Sequence, residues 1–173
     1  MLSEILTVFW LFLPAGFANM APVLFKWIPF LNYSIDFGKK FGGKRIFGSH
    51  KTIRGFVVGV LAGILITYLQ SFFDYGLIDF SKVNFLLLGF LMGFGALFGD
   101  AVKSFFKRQL DIKPGKSWIG FDQTDWILGA IVFVNFYVSL GWRVNLIALA
   151  LFGVLHLLIN VIGYLLRVNK NLF

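Results

Sequence analysis

Val83-Asn-Phe-Leu-Leu-Leu-Gly-Phe-Leu-Met-Gly-Phe-Gly-Ala-Leu-Phe-Gly99 is a run of 17 residues without a formal charge, and the residue that ends it is Asp100. A helix needs roughly 17–25 predominantly apolar residues to cross the hydrocarbon core of a bilayer. Four further runs meet that condition: Ile5 to Phe25, Gly55 to Phe73, Trp126 to Trp142, and Val144 to Leu166, the last interrupted only by His156. Each segment must satisfy its own backbone in lipid, and five strands are too few for a closed barrel, so helices are expected. The expected fold is all-α: a polytopic integral membrane protein of five transmembrane helices, one membrane-embedded domain over residues 1–173. The first run opens behind Glu4 without a basic leader and is too long for the apolar part of a signal peptide.

Composition points the same way. Hydrophobic residues make up 58% and charged residues 14% of the chain, whereas a soluble domain carries about 25% charged residues. A water-soluble globular domain is thereby excluded. Cysteine is absent, which removes disulfides, thiolate metal sites and thiol nucleophiles together.

Lysine and arginine set the orientation. Lys26, Lys39, Lys40, Lys44, Arg45, Lys51 and Arg54 surround the first loop; Lys103, Lys107, Arg108, Lys113 and Lys116 surround the third; Arg167 and Lys170 lie in the tail. With five spans these regions share one side, and only Lys82 and Arg143 fall on the other. Positive residues favour the cytoplasmic face. The expectation is a multi-pass protein of the cell membrane with its N-terminus outside and its two long loops and C-terminus in the cytoplasm.

That bias does not explain the acids. Four of the eight acidic residues lie between Asp100 and Asp125. At roughly 100° per residue, Asp100, Lys103, Ser104, Lys107 and Arg108 fall within one arc of about 140°, opposite Ala101, Val102, Phe105 and Phe106. Lys113-Pro114-Gly115-Lys116 is a turn signal that ends this helical extension, and Asp122 and Asp125, three residues apart, share a face at the start of the fourth span. Simple roles suffice for single residues: Asp122 as a helix cap, Asp125 as a dipole partner, Lys107 and Arg108 at lipid headgroups. The set together suits a bound metal with a polyanionic ligand. Oxygen ligands without cysteine favour Mg²⁺, which usually binds one or two carboxylates plus substrate phosphates.

The stretch Asp100-x₃-Ser104-x₂-Lys107-Arg108-x₄-Lys113-Pro-Gly-x₆-Asp122-x₂-Asp125 resembles the signature of CDP-diacylglycerol synthases (phosphatidate cytidylyltransferases). It is more similar still to their small archaeal relatives, the CDP-archaeol synthases, which have five spans and a Lys-Pro-Gly…Asp-Gln-x-Asp ending. The resemblance implies that Asp100 and Asp122 are Mg²⁺ ligands with Asp125 close by. It implies that Ser104, Lys107, Arg108, Lys113 and Gly115 line the nucleotide-phosphate site. Compared with the bacterial-type pattern, the spacing from Asp100 to Asp122 is shorter and Gln123 stands where Arg is usual. These differences count against a diacyl lipid more than against cytidylyl transfer.

The first loop, Gly38 to Gly55, is dense in glycine and cations. Gly38 to Lys44 fits G-x₄-G-K, but Arg45 replaces the Ser or Thr of a P-loop and no strand precedes it. Glycines admit phosphate oxygens to backbone N–H groups, and cations neutralise them; the alternative, a polybasic patch for anionic lipids, is disfavoured by the glycine density, because such a patch needs charge but not tight turns. By resemblance, the Gly-x-His-Lys-Thr-x-Arg-Gly run belongs to the active site and marks Lys44, His50, Lys51, Thr52 and Arg54. In the first span, Pro14 and Pro22 bracket Asn19, which predicts a kinked or broken helix. That break either opens a lateral route for a lipid phosphate, with Asn19 at the site, or serves packing alone. His156 is read as structural.

The expected reaction is CTP plus an isoprenoid-ether lipid phosphate giving CDP-archaeol and pyrophosphate, in a polar cavity formed by the two cytoplasmic loops. Its partners are CTP, the lipid phosphate and the bilayer. A diacyl substrate, a transporter and a non-catalytic scaffold are the alternatives. Transport sites place ionisable groups near the bilayer midplane, whereas these flank the spans. Basic segments tied to the membrane edge are not read as nucleic-acid binding, and the oligomeric state is left open.

Overall fold

The computed structural model describes residues 2–73, 77–112, 118 and 120–165. Its helices are α1 (Leu2–Leu24), α2 (Ile53–Gln70), α3 (Phe85–Gln109), α4 (Phe121–Asn135) and α5 (Gly141–Leu165), with a two-stranded hairpin of β1 (Lys40–Phe41) and β2 (Lys44–Arg45) between α1 and α2. Four of these helices, all but α4, are long and apolar enough to cross a membrane by length and composition. The expected fourth run, Trp126 to Trp142, differs most. The helix starts earlier, at Phe121, and spans 15 residues, because the chain turns at Phe136 before Gly141 opens α5. α4 instead gains its place by packing, burying Trp126, Ile127, Ala130 and Val134.

α1 is not broken. It continues through Pro14 and Pro22 as one helix. A proline in a helix interior leaves the carbonyl four residues earlier without its usual donor. At Pro14 that carbonyl belongs to Trp10, and the buried Gln70 side chain of α2 supplies the missing donor, its Nε2 lying 2.5 Å from Trp10 O. The polar residue at the end of α2 thus repairs the helix that the proline would interrupt.

α3 is the central element, packed on α4, α2 and α1. Its glycines permit this. A Cβ on Gly99 would collide with the Asp125 carbonyl of α4, and one on Gly129 with the Gly95 carbonyl of α3. On the other side, a Cβ at Gly63 of α2 would stand 2.8 Å from Gly89 O. Two small-x₃-small stripes on α3, Gly89/Gly93 and Gly95/Gly99, therefore bring neighbouring backbones into contact, as in lipid-embedded helix pairs where solvent supplies no driving force. The core beside them, with Val8, Phe12, Met92, Ala96, Ile127 and Phe152, joins α1, α3, α4 and α5.

The hairpin turns at Gly42 and Gly43, whose φ values of 57° and 81° suit a tight turn that needs two left-handed residues. Phe41 packs on Phe105 with ring centroids 5.9 Å apart. Lys44 Nζ donates to Gln109 O at 2.7 Å and pairs with Asp111, placing a cation at the C-terminal end of α3. The first loop and the end of α3 therefore lie at one end of the bundle. At the opposite end, Glu4 and Arg143 pair at 2.9 Å and tie α1 to α5.

Candidate active site

The close α3–α4 contact puts the polar stripe of α3 against the acidic first turns of α4. Lys103 Nζ lies 3.1 Å from Asp100 Oδ1, 3.1 Å from Asp122 Oδ1 and 2.8 Å from Asp125 Oδ2. Lys107 Nζ donates to both Asp122 carboxylate oxygens at 3.1 Å, and the Trp118 N–H donates to Asp122 Oδ2 at 2.6 Å. Lys51 pairs with Asp100 from the other wall. Three carboxylates from two helices thus gather around one ammonium, with two more cations at the edge. Helix α4 is not capped by Asp122. Gly120 holds the cap position, where its N–H donates to Gln123 Oε1 at 2.6 Å, and this leaves both carboxylates facing α3.

Residues 47–51 close the site into a polar cavity of about 190 Å³, lined from the loop by Gly48, His50 and Lys51 and from α3 by Asp100, Lys103, Ser104, Lys107 and Arg108. Among the described residues Arg108 has no ion pair, and its Cδ would be 3.8 Å from a Cβ on Gly48. The Ser104 hydroxyl donates to the Asp100 carbonyl at 2.9 Å. The loop is held in place by Asp36, which is buried. Its carboxylate accepts from the N–H groups of Gly38, Phe47 and Gly48 at 3.0–3.1 Å and pairs with Arg45. Burial pushes the Asp36 carboxyl up, but the Arg45 guanidinium and the three backbone donors outweigh it and hold it well below the usual carboxylate range.

Of the residues singled out from the sequence, Asp100, Asp122, Asp125, Lys51, Ser104, Lys107, Arg108 and the exposed His50 come together here. Others stand apart. Lys44 is engaged at the end of α3. Thr52 caps α2, accepting from the Gly55 N–H at 3.1 Å. Arg54 is buried and donates to the Ile28 carbonyl. Asn19 is half-buried on α1 and does not line the cavity. Lys113 and Gly115 lie outside the described residues. His156 sits on α5 with its Nδ1 3.3 Å from Asn160 Nδ2.

Two participants were not singled out. Lys103 was visible as one cation of the α3 stripe, but only the fold shows that it is central. Asp36 carried no signal beyond being an acid in a basic loop. A second cavity, of about 300 Å³, runs between α3 and α4; its walls include Phe98, Val102, Phe106, Leu128 and Val132, and Lys103 and Asp125 line it too.

A cation is already the common partner of the three carboxylates, and the donors are all oxygen, so the set suits a hard divalent ion. Among the described residues no three carboxylate or imidazole groups stand ready as a complete ligand set.

The CarS-like family model, CDP-archaeol synthase, matches residues 1–173. The CDP-archaeol synthase of Thermococcus onnurineus is 44% identical over 136 residues, covering 76% of this chain and 75% of the relative. That of Methanopyrus kandleri is 39% identical over 93% of this chain and 89% of its own length, and that of Archaeoglobus fulgidus is 38% identical over 98% of each. A solved intramembrane enzyme for archaeal membrane lipids biosynthesis superposes with a TM-score of 0.75 at 31% identity, covering 91% of this chain and 94% of that one. A polytopic helical membrane protein with an acidic and basic cluster between α3 and α4, this chain belongs to the CDP-archaeol synthase family.

Proposed function

We propose that this enzyme transfers CMP from CTP to an isoprenoid-ether lipid phosphate, 2,3-bis-O-geranylgeranylglycerol 1-phosphate, giving CDP-archaeol and pyrophosphate. The family and its similarity to the solved archaeal lipid enzyme support the reaction. The observation that carries the site is the convergence of Asp100, Asp122 and Asp125 with Lys51, Lys103 and Lys107 beside a polar cavity.

In the reaction a lipid-phosphate oxygen bonds to the α-phosphorus of CTP while the bond to the α–β bridging oxygen breaks, and pyrophosphate leaves. A phosphate monoester has a second pKa of about 6, so the nucleophile is already charged at neutral pH and needs little general-base help. The obstacle is repulsion between two polyanions. Lys51, Lys107 and Arg108 face the cavity and offset that charge; Ser104 and Gly48 line its walls. His50, exposed and lining the same cavity, would meet the nucleotide. Lys44, Thr52 and Arg54 act by fixing the loop, and Lys113 and Gly115 belong to the link between α3 and α4. Asp100 and Asp122 would hold Mg²⁺, with Asp125 beside them; bound there, the ion would neutralise phosphate charge. The lipid tails occupy the apolar groove between α3 and α4, which Lys103 and Asp125 also line. Asn19, away from the cavity, serves α1 packing.

The cluster-bearing end of the bundle faces the cytoplasm of the cell membrane, since it carries nearly all of the Lys and Arg. The test is turnover by the purified chain with each of the four nucleoside triphosphates, with ether-linked and diacyl phosphatidic acids, with and without Mg²⁺. Product with CTP and the ether lipid only when a divalent ion is present is the expected result. Preference for a diacyl lipid, or metal-independent turnover, would contradict it.

A further inference from the structure

Lys103 is placed unlike any other cation of the site. Its ammonium lies within 3.1 Å of a carboxylate oxygen from each of Asp100, Asp122 and Asp125, on two different helices, and its side chain is only 14% exposed. It also lines both cavities, the polar one that faces the loop and the apolar one between α3 and α4. An ordinary ion pair would need one acid. Here a single positive charge stands where three negative groups converge, which is where a divalent ion held by Asp100 and Asp122 would also be drawn.

We infer that Lys103 is an exchangeable internal counter-ion: it holds the three carboxylates together in the metal-free enzyme and gives them up when a divalent ion binds. This rests on the metal reading proposed above. Without a cation among them, the buried Asp125 and the half-buried Asp100 and Asp122 carboxylates would repel one another and open the α3–α4 contact, so the site needs a placeholder. When the ion enters, two cations cannot share the same oxygens at close range. The lysine stem is flexible, and its base lies on the wall shared by the two cavities. The displaced ammonium therefore moves to the junction of the polar cavity and the lipid groove, where an incoming lipid phosphate arrives. Lys103 is in this sense a positioning residue that couples metal binding to capture of the second substrate.

The sign of one measurement separates this from a merely structural role. Mn²⁺ binding to the full chain in nanodiscs, with saturating CTP and no lipid phosphate, is followed by electron paramagnetic resonance against protein-free Mn²⁺–CTP for the wild type, Lys103→Met and Lys103→Arg. Removing a competing charge should tighten Mn²⁺ at least tenfold in Lys103→Met, while Lys103→Arg stays near the wild type. Unchanged or weaker binding in a folded Lys103→Met overturns the inference. No Mn²⁺ binding to either the wild type or Lys103→Met overturns the metal reading and this inference with it. Because Lys103→Met leaves acids unpaired and can fail to fold, a second measurement uses the wild type alone: amine acetylation of Lys103 read by mass spectrometry. Added Mn²⁺ should raise its labelling at least threefold; unchanged labelling in protein that binds Mn²⁺ overturns the inference.

Discussion

Lys107 donates to both carboxylate oxygens of Asp122 at 3.1 Å, joining the last turns of α3 to the first turn of α4. Two residues on either side of a loop thereby share one site, and the acid is already oriented before any ligand arrives. Such preorganisation is what electrostatic catalysis of phosphoryl transfer requires. Asp122→Asn keeps the shape and removes the charge. It should lower turnover by about 10²-fold or more while the protein keeps its helical content and thermal midpoint within a few degrees. Asp100→Asn should behave alike. Product formation by either variant within threefold of the wild type would remove these residues from the site.

Gly99 is the point where α3 meets the Asp125 backbone. Gly99→Ala places a methyl group against that carbonyl and must push the helices apart. The expected loss is about 1–3 kcal/mol of stability, with a disproportionate fall in activity because Asp125 moves with its backbone. Thermal unfolding in detergent checks the first part and turnover the second. Gly38→Ala, where a Cβ would meet no atom within 4 Å but φ is +79°, serves as a comparison for backbone strain without a clash.

Asp36 gives a pH dependence of definite sign. Its folded carboxyl is held below the usual range, so its contribution is complete above the unfolded value of about 4 and is lost as pH falls from there toward the folded value. Asp36→Asn should cost about 2 kcal/mol near neutrality, as expected for hydrogen bonds to a charged group. The difference in thermal midpoint between the two proteins should shrink below about pH 4. A difference that stays constant or widens on acidification would contradict the role assigned to the Arg45 and backbone hydrogen bonds.

Val132 lines the groove between α3 and α4, away from the polar cavity. If lipid tails lie there, Val132→Trp fills their space and should raise the KM for the lipid phosphate several-fold with the KM for CTP unchanged. Equal changes in both constants would move the tails elsewhere.

Much of this was legible in the sequence because lipid leaves few choices. Uncharged runs of membrane length must be helices, and acids that positive-inside bias does not explain must serve something else. The α3 stripe and the Asp122/Asp125 pair were readable from helical periodicity alone. What was not readable depended on contacts between distant segments. Of the kink or break expected around Pro14 and Pro22, the break does not form: the helix is continuous, and Gln70, on another helix, supplies at Pro14 the donor that proline lacks. The fourth helix is shorter than its uncharged run, because charge-free length says nothing of where a turn falls. Glycines that suggested a phosphate cradle divide their roles: Gly42 and Gly43 make a hairpin, and Gly48 alone of these lines the cavity. Lys103 looked like one cation among several until packing placed three acids around it.

The most direct measurement is anomalous diffraction from crystals of the protein grown with CTP and Mn²⁺. The account predicts an anomalous peak bonded to carboxylate oxygens of both Asp100 and Asp122, at about 2.0–2.3 Å, with the CTP phosphates completing its shell. A peak elsewhere in the bundle, with both carboxylates still on Lys103, would contradict it.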